Sequence, residues 1–202
     1  MGGWSRHSGL AVALPLENID TDQLVPARFM STPRSEGYGR FLLHDLRHDE
    51  SGTPHADFPL NSAPEASILV ARRNFGGGSS REAAVYTLVD AGFRIVIAPS
   101  FGDIFAGNAI NNGLLPAKVS EADAEHLIAA LAEPADVHVD LAACRIRLDA
   151  HDIAFDLDPI RQRKLINGWD DIDLTRADAE RIAAFRDRRR EGAPWAWPAE
   201  RP

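Results

Sequence analysis

Cysteine is almost absent from this chain, which limits the chemistry that the chain can carry alone. Cys144 is the only cysteine among the 202 residues, so no disulfide can form within the chain. An iron–sulfur cluster normally takes three or four cysteine ligands, so we expect no cluster and no other metal in this chain. Cys144 begins the alternating stretch 144–148, a pattern that indicates a strand residue rather than a nucleophile.

Long apolar runs and a basic surface are also missing. No run approaches the ~20 apolar residues that cross a bilayer, and the first residues lack the apolar segment of a secretory signal. We therefore predict a cytoplasmic protein with no membrane partner. A net charge of −8 and a pI of about 5.3 argue against a nucleic acid partner, which requires a basic face. The one basic run, residues 186–190, ends a predicted helix, where cations complement the helix dipole.

The remaining composition is that of an ordinary globular protein, 45% hydrophobic and 26% charged. A chain of this length usually forms one domain. We predict a single domain over residues 1–202, with a core at about 9–175 and a C-terminal helix and loosely held tail at 176–202.

Apolar patterns predict an α/β order of elements. Continuous apolar runs at 66–71 and 94–98 are typical of buried strands, and a helix between them makes a βαβ unit with a parallel pair. Ser79 and Glu82 fit a capping box, which predicts that this helix is capped by Ser79. Residues 31–64, rich in Gly, Pro, Ser, His and Asp, are predicted to be a long irregular excursion. The other predicted elements are a strand at 9–14, helices at 101–112, 121–131, 159–167 and 176–190, and a strand meander at 137–141, 144–148 and 153–157.

The densest candidate for chemistry is the segment 72–82, Arg-Arg-Asn-Phe-Gly-Gly-Gly-Ser-Ser-Arg-Glu. Its glycines lead into a helix N-terminus, where free backbone N–H groups and the positive end of the dipole suit a carboxylate or phosphate. Arg81 adds a planar fork that matches a carboxylate, and a serine hydroxyl in that field could act as a base. The structural alternative has Ser79 as the helix N-cap, the glycines as a tight turn and Arg81 in solvent.

Three other site types find little support in the sequence. The three glycines do not match G-x-G-x-x-G, and no acidic residue ends a following strand, which argues against dinucleotide binding. A Walker loop fails because Gly-Lys-[Ser/Thr] is missing. His44 and His48 have i, i+4 spacing, but no helical pattern surrounds them and no third ligand is evident, so a metal site is disfavoured.

Four motifs, taken in chain order, resemble a known family. They are Asn18-Ile-Asp-Thr-Asp-Gln-Leu-Val-Pro26, then Asn74-Phe-Gly-Gly-Gly-Ser-Ser-Arg-Glu82, then Ser100-Phe-Gly-Asp-Ile-Phe105 with Asn108 and Asn112-Gly-Leu-Leu-Pro116, and last Asp158-Pro-Ile-Arg161 through Asn167-Gly168 to Asp170-Asp-Ile172. Together they resemble the small subunits of isopropylmalate isomerases (isopropylmalate dehydratases), members of the aconitase swivel-domain family. The long excursion is similar to the bacterial long form of that subunit.

The resemblance implies a fold, a reaction and a partner. The fold is the swivelling β/β/α domain of aconitase, in the α/β class. The reaction is that of a hydro-lyase, which turns 2-isopropylmalate into 3-isopropylmalate through isopropylmaleate in leucine biosynthesis. The partner is a large subunit with a [4Fe–4S] cluster that acts as a Lewis acid on the substrate hydroxyl, and the small subunit is expected to be active only in that complex.

The resemblance also implies roles for individual residues. By position, Ser79 resembles the catalytic base, Ser80 and Arg81 resemble contacts to a substrate carboxylate, and Arg34 resembles a second guanidinium at the substrate. For residues 20–22 we favour an Asx-type turn that fixes the loop over a direct approach to the site. The predicted loop-shaping residues are Gly76, Gly77, Gly78, Asp20, Thr21 and Asp22.

Two positions depart from the family pattern, because Gly77 and Ala83 stand where members commonly have Cys and His. The loss of bulk could reshape the pocket rim and change the substrate. One alternative is therefore a paralogue for another 2-hydroxy diacid, of methylmalate type or homoaconitate. Another is a non-catalytic anion-binding or assembly subunit, although the intact Ser79 and Arg81 argue against it.

Overall fold

The computed structural model describes residues 2–198. Its strands are β1 (Arg6–Leu14), β2 (Ile68–Ala71), β3 (Ile95–Ala98), β4 (Leu115–Lys118), β5 (Ala135–Asp140), β6 (Arg145–Leu148) and β7 (His151–Ala154). Its α-helices are α1 (Thr21–Leu24), α2 (His44–Arg47), α3 (Pro59–Ser62), α4 (Glu82–Asp90), α5 (Asp103–Asn111), α6 (Glu121–Ala130), α7 (Pro159–Asn167), α8 (Asp171–Ala177) and α9 (Ala179–Gly192). Short 3-10 helices lie at Ala27–Phe29, Arg34–Glu36, Gly39–Phe41 and Pro194–Ala196.

The strands of the described residues form one mixed sheet in the order β4-β3-β2-β1-β5-β6-β7. β1 to β4 are mutually parallel, whereas β5 pairs antiparallel with the other edge of β1. The antiparallel hairpins β5-β6 and β6-β7 complete the sheet. The structure thus confirms both the parallel βαβ pair and the C-terminal meander that the apolar patterns predict.

Both faces of the parallel half are buried, as expected for strands that read as continuous apolar runs. Successive side chains of a strand point to opposite faces. Val12, Leu69 and Val96 therefore pack on one side with α4, α5 and the segment 31–64. The alternate residues, among them Ala11 and Ile68, pack on the other side with α6, α7 and the meander.

The segment 31–64 is more structured than the irregular excursion predicted from its composition. It contains α2, α3 and two 3-10 helices, and its apolar residues pack in the same core cluster as those of α4. The prediction fell short because these helices span only a turn, too short for a periodic pattern. The buried residues of the segment are Tyr38, Phe41, Leu42, Leu43, Leu60 and Ala63.

Two details of the predicted elements are wrong. Cys144 lies in the turn before β6 with φ of +52°, not in a strand, because the chain must reverse there between β5 and β6. The predicted helix 176–190 is split into α8 and α9 at Asp178, and α8 starts earlier, where Asp170 forms a capping box with Asp173. The capping box was missed because Asp rather than Glu closes it.

The C-terminal helix contacts the rest of the molecule sparsely. No residue of α9 is buried, and Trp195 after it is 82% exposed. Residues 199–202 of the predicted tail lie outside the described part of the chain, so the division of the domain near residue 175 stays a prediction. Among the described helices, none has the length and apolar character required to span a bilayer.

Candidate active site

Three loops meet where the parallel strands β1, β2 and β3 end, which is the edge where parallel sheets bind ligands. Backbone hydrogen bonds join them pairwise. The Gly76 N–H donates to the Ile19 carbonyl at 2.6 Å, and the Phe75 N–H donates to the Ser100 carbonyl at 3.0 Å. The loops after three different strands therefore form one surface, with the glycine loop, residues 76–81, between the other two.

The α1 turn fixes the glycine loop. Asp20 caps α1 through its carboxylate, which accepts from the Gln23 N–H at 2.7 Å, and Gln23 bonds back to the Asp20 N–H. The next residue, Thr21, is buried and makes two bonds to the loop: its N–H donates to the Gly77 carbonyl and its hydroxyl to the Ser79 carbonyl, each at 2.9 Å. Asp20 and Thr21 therefore lie against the glycine loop, and their role in shaping it stays a prediction.

These bonds correct the predicted start of α4. The helix begins at Glu82, and Arg81 is the N-cap residue, with extended backbone and no side-chain capping bond. Thr21 holds the carbonyl groups of the preceding loop, so the chain cannot become helical as early as the capping-box pattern predicted. Ser79 is not the N-cap, and its exposed hydroxyl is left for other contacts.

Close packing requires a glycine at two positions, Gly76 in the loop and Gly102 outside it. Gly76 has φ of +72°, and a Cβ there would lie 2.2 Å from the Phe105 ring. A Cβ on Gly102, in the loop after β3, would lie 2.4 Å from the Gly76 carbonyl oxygen. Sequence reasoning missed Gly102 as a site residue; the signal was a glycine just after a buried strand, a common place for close backbone approach.

The loop opens into a cleft of about 230 Å³. Arg81 lines it with a side chain that is only 17% exposed, and its Nη1 donates to the more exposed carboxylate of Asp22. Ser79 lines the cleft and is exposed, whereas its neighbour Ser80 is exposed but does not line the cleft. The cleft therefore presents a held guanidinium beside a hydroxyl. Its lining residues are Thr21, Gly76, Gly77, Gly78, Ser79, Arg81, Gly102, Asp103, Ile104 and Phe105.

Arg34 lies in a different group of side chains. Its guanidinium stacks over the Tyr86 ring at 3.6 Å and approaches Asn112 and Asp90, each at 3.4 Å. Asn112, nearly buried, also donates to Glu82 at 2.9 Å and so links this group to the start of α4. Burial raises the pKa of the Tyr86 hydroxyl, with Glu82 as the next cause, so the ring stays neutral at physiological pH.

The two departures from the family pattern have different surroundings. A Cβ on Gly77 would lie 3.0 Å from the Asn74 Oδ1. The Asn74 amide donates to Asn18 at 2.9 Å, so a larger residue at 77 would act on the cleft through this amide pair. Ala83, in the first turn of α4, is half-buried and packs against the core.

No residue set in the described part of the chain fits a metal cluster. Residues 2–198 contain no group of three or more His, Cys, Asp or Glu arranged to hold an ion. Burial raises the pKa of the Cys144 thiol, which therefore stays protonated at neutral pH. The rings of His44 and His48 stack at 4.4 Å, but His48 Nδ1 is bonded to the His44 carbonyl.

Comparison with known proteins decides the family. Residues 1–122 match the family described as Aconitase C-terminal domain. The 3-isopropylmalate dehydratase small subunit of Rhodospirillum centenum is 45% identical over 194 residues, which cover 94% of this chain and 96% of that protein. The protein of the same name from Geobacillus kaustophilus is 43% identical over 188 residues, covering 90% and 94%. The chain belongs to the family of 3-isopropylmalate dehydratase small subunits.

A solved structure supports the fold of this small-subunit family. The crystal structure of 3-isopropylmalate dehydratase from Methanocaldococcus jannaschii matches with a TM-score of 0.65 and 24% identity, over 89% of this chain and 98% of that one. Together with the family match, this confirms the α/β swivelling domain of aconitase type that the motifs predicted.

Proposed function

We propose that this chain is the small subunit of a 3-isopropylmalate dehydratase. The enzyme is a hydro-lyase that interconverts 2-isopropylmalate and 3-isopropylmalate in leucine biosynthesis, and we place it in the cytoplasm. The proposal is carried by the identity of 40–45% to proteins of that name over nearly the whole chain. These relatives do not favour a paralogue for another 2-hydroxy diacid or a non-catalytic assembly subunit.

The arrangement of the cleft suggests a role for each residue in binding and proton transfer. Loss of water breaks the C–OH bond and a C–H bond on the neighbouring carbon, which gives isopropylmaleate, and re-addition puts the hydroxyl on that neighbouring carbon. In our proposal Arg81 binds a substrate carboxylate with its planar fork, and Ser80 adds a hydrogen bond. Ser79 takes the proton from the neighbouring carbon and, on re-addition of water, delivers it to the carbon that lost the hydroxyl, a role that its exposed position at the cleft supports.

Asp22 and Arg34 have different places in this proposal. Asp22 holds one nitrogen of Arg81, which leaves other N–H groups of the fork for the substrate. The role of Arg34 as a second guanidinium at the substrate stays a prediction. It is engaged by Tyr86 and Asn112, so a contact with the substrate would require it to leave both.

The proposed complex needs a large subunit. We propose that a [4Fe–4S] cluster resides there, because such a cluster takes three or four cysteines and this chain has one. The cluster would supply a Lewis acid for the substrate hydroxyl. The small subunit contributes the serine and guanidinium side of a shared site.

The experiment is reconstitution with the cognate large subunit under anaerobic conditions. Purified alone, the small subunit should contain no iron and show no turnover. The mixture should convert 2-isopropylmalate, with isopropylmaleate followed by its ultraviolet absorbance, and an Arg81→Ala mixture serves as the control for contaminating activity. Turnover by the lone chain would contradict the proposal.

Substrate choice is tested with the same pair. We compare kcat/KM for isopropylmalate, citramalate, dimethylmalate and homocitrate. A pocket methylene changes the discrimination by only ~1–3 kcal/mol, so the departures at Gly77 and Ala83 should leave isopropylmalate accepted. If isopropylmalate is more than tenfold worse than another substrate, the leucine assignment fails while the hydro-lyase assignment stands.

A further inference from the structure

A second, larger pocket lies beside the cleft, where β3 and β4 end. Its volume is about 530 Å³, and we call it the strand-end pocket. Asp103 lines both this pocket and the cleft, so the two openings share a wall. Its polar lining residues are Ser100, Asp103, Lys118, Asp156, Asp158 and Arg161.

Four charged side chains of the strand-end pocket have no ion-pair partner among residues 2–198. Lys118, Arg161, Asp103 and Asp156 are all exposed. In the described residues none of them lies within 4.0 Å of an opposite charge, although many other surface arginines are paired. Lining carboxylates outnumber lining cations, three to two, which disfavours a small anionic ligand. Separate charges of both signs suit a protein surface with the complementary pattern.

Two exposed apolar residues are chain neighbours of residues that line the strand-end pocket. Ile104, next to Asp103, is 53% exposed, and Ile160, next to Arg161, is 60% exposed. Ile104 also lines the cleft. Protein interfaces combine apolar contacts at the centre with a polar rim, and these two isoleucines with the unpaired charges provide both.

We propose that the strand-end pocket is a docking site for the large subunit. The inference rests on the proposed function, in which the large subunit must cover the cleft that holds Ser79 and Arg81. Because Asp103 and Ile104 border that cleft, a partner that closes the cleft reaches the mouth of the pocket. The partner should present carboxylates to Lys118 and Arg161, and cations to Asp103 and Asp156.

The test is charge reversal followed by a binding measurement. The double variant Lys118→Glu/Arg161→Glu is titrated against the cluster-loaded large subunit, and Kd is measured at low and at high salt. We expect Kd to rise at least tenfold at low salt, mainly through a slower association rate, and the difference to shrink at high salt, because exposed charges act through electrostatic complementarity that salt screens. A Kd within twofold of the wild type would overturn the proposal.

The control variant is Arg188→Glu/Arg189→Glu on α9. It makes the same change in net charge at exposed arginines beside another groove, which Ile182 and Phe185 line. We expect its Kd to stay within twofold of the wild type. If this control weakens binding tenfold and the strand-end variant does not, the large subunit docks on α9 and our proposal is wrong.

Two further readouts separate the possible failures. If the wild-type subunits bind but do not turn over isopropylmalate, the proposed function fails while the docking site is still tested by Kd. If the wild-type subunits do not bind each other, the docking site is overturned.

Melting followed by circular dichroism checks the fold of each variant. Should the double variant unfold, Lys118→Gln and Arg161→Gln replace it, each with an expected rise in Kd of at least threefold.

Discussion

At the scale of single residues, two serines show how context decides the role of a hydroxyl. Ser120 precedes α6, and its Oγ accepts from the Asp123 N–H at 3.0 Å, as an N-cap does. Ser79 has the same sequence spacing to Glu82, yet α4 starts two residues later than the pattern predicts, with Arg81 rather than Ser79 as the N-cap residue. A capping box depends only on neighbouring residues. It therefore cannot predict the hydrogen bond from the Thr21 hydroxyl, distant in sequence, to the Ser79 carbonyl.

This difference makes Ser79→Ala a sharp test of catalysis. If Ser79 is the base, the substitution should lower kcat at least ~10²-fold in the reconstituted enzyme. Stability should stay nearly unchanged, because the hydroxyl caps no helix. The matched control is Ser120→Ala, which should cost about 1 kcal/mol of unfolding free energy and leave kcat unaltered. A normal kcat for Ser79→Ala would remove Ser79 from the mechanism.

At the scale of elements, local patterns predicted six of the seven strands in the described residues and the longer helices, whereas β4 and the one-turn helices α1, α2 and α3 were not predicted. The sequence 94–98 predicts a buried strand, and β3 is buried throughout. Ser120 predicts the start of α6 correctly, because its capping bond is local. The packing of one loop on another was not predictable, since Gly76 and Gly102 belong to different βα connections and their approach depends on strand register.

Gly102→Ala should disturb the site through the backbone of the glycine loop. The new Cβ would lie 2.4 Å from the Gly76 carbonyl oxygen, so the loop must move. We expect a loss of about 1–3 kcal/mol of unfolding free energy, as for other overpacked sites, and a marked fall in kcat/KM. Urea unfolding and reconstituted activity measure the two effects.

Gly107→Ala is the control for that substitution. Gly107 lies inside α5, and a Cβ there would meet nothing within 4 Å. Replacing a helical glycine by alanine should add about 0.5–1 kcal/mol of stability and leave activity unchanged. Equal effects of the two substitutions would show that the contact with Gly76 does not matter.

At the scale of the whole molecule, the functional surface lies at one edge of the sheet. The structure brings Ser79, Arg81 and Thr21 into the lining of one cleft, and Asp22 reaches it through its bond with Arg81. The strand-end pocket was not predictable, because Lys118, Asp156 and Arg161 come from three separate elements. Nor was the place of Arg34, which depends on how the segment 31–64 folds back onto α4.

The C-terminal helix α9, in contrast to the functional surface, adds little to the packing of the fold. Because no residue of α9 is buried, a chain that ends at Asp178 should lose less than about 1 kcal/mol of unfolding free energy. It should also still bind the large subunit through the strand-end pocket. A chain that ends at Asp158 also loses α7, in which Leu165 is 2% exposed and Lys164 5%.

The longer truncation should therefore unfold at clearly lower urea than the shorter one. Removing the buried Leu165 side chain alone forfeits about 1.5–3 kcal/mol, and the Trp4 N–H loses its acceptor, the Leu165 carbonyl at 3.2 Å. Urea titrations followed by far-ultraviolet circular dichroism compare the two chains with the full one. If the chain ending at Asp178 is as unstable as the chain ending at Asp158, α9 supports the domain and is more than an appended helix.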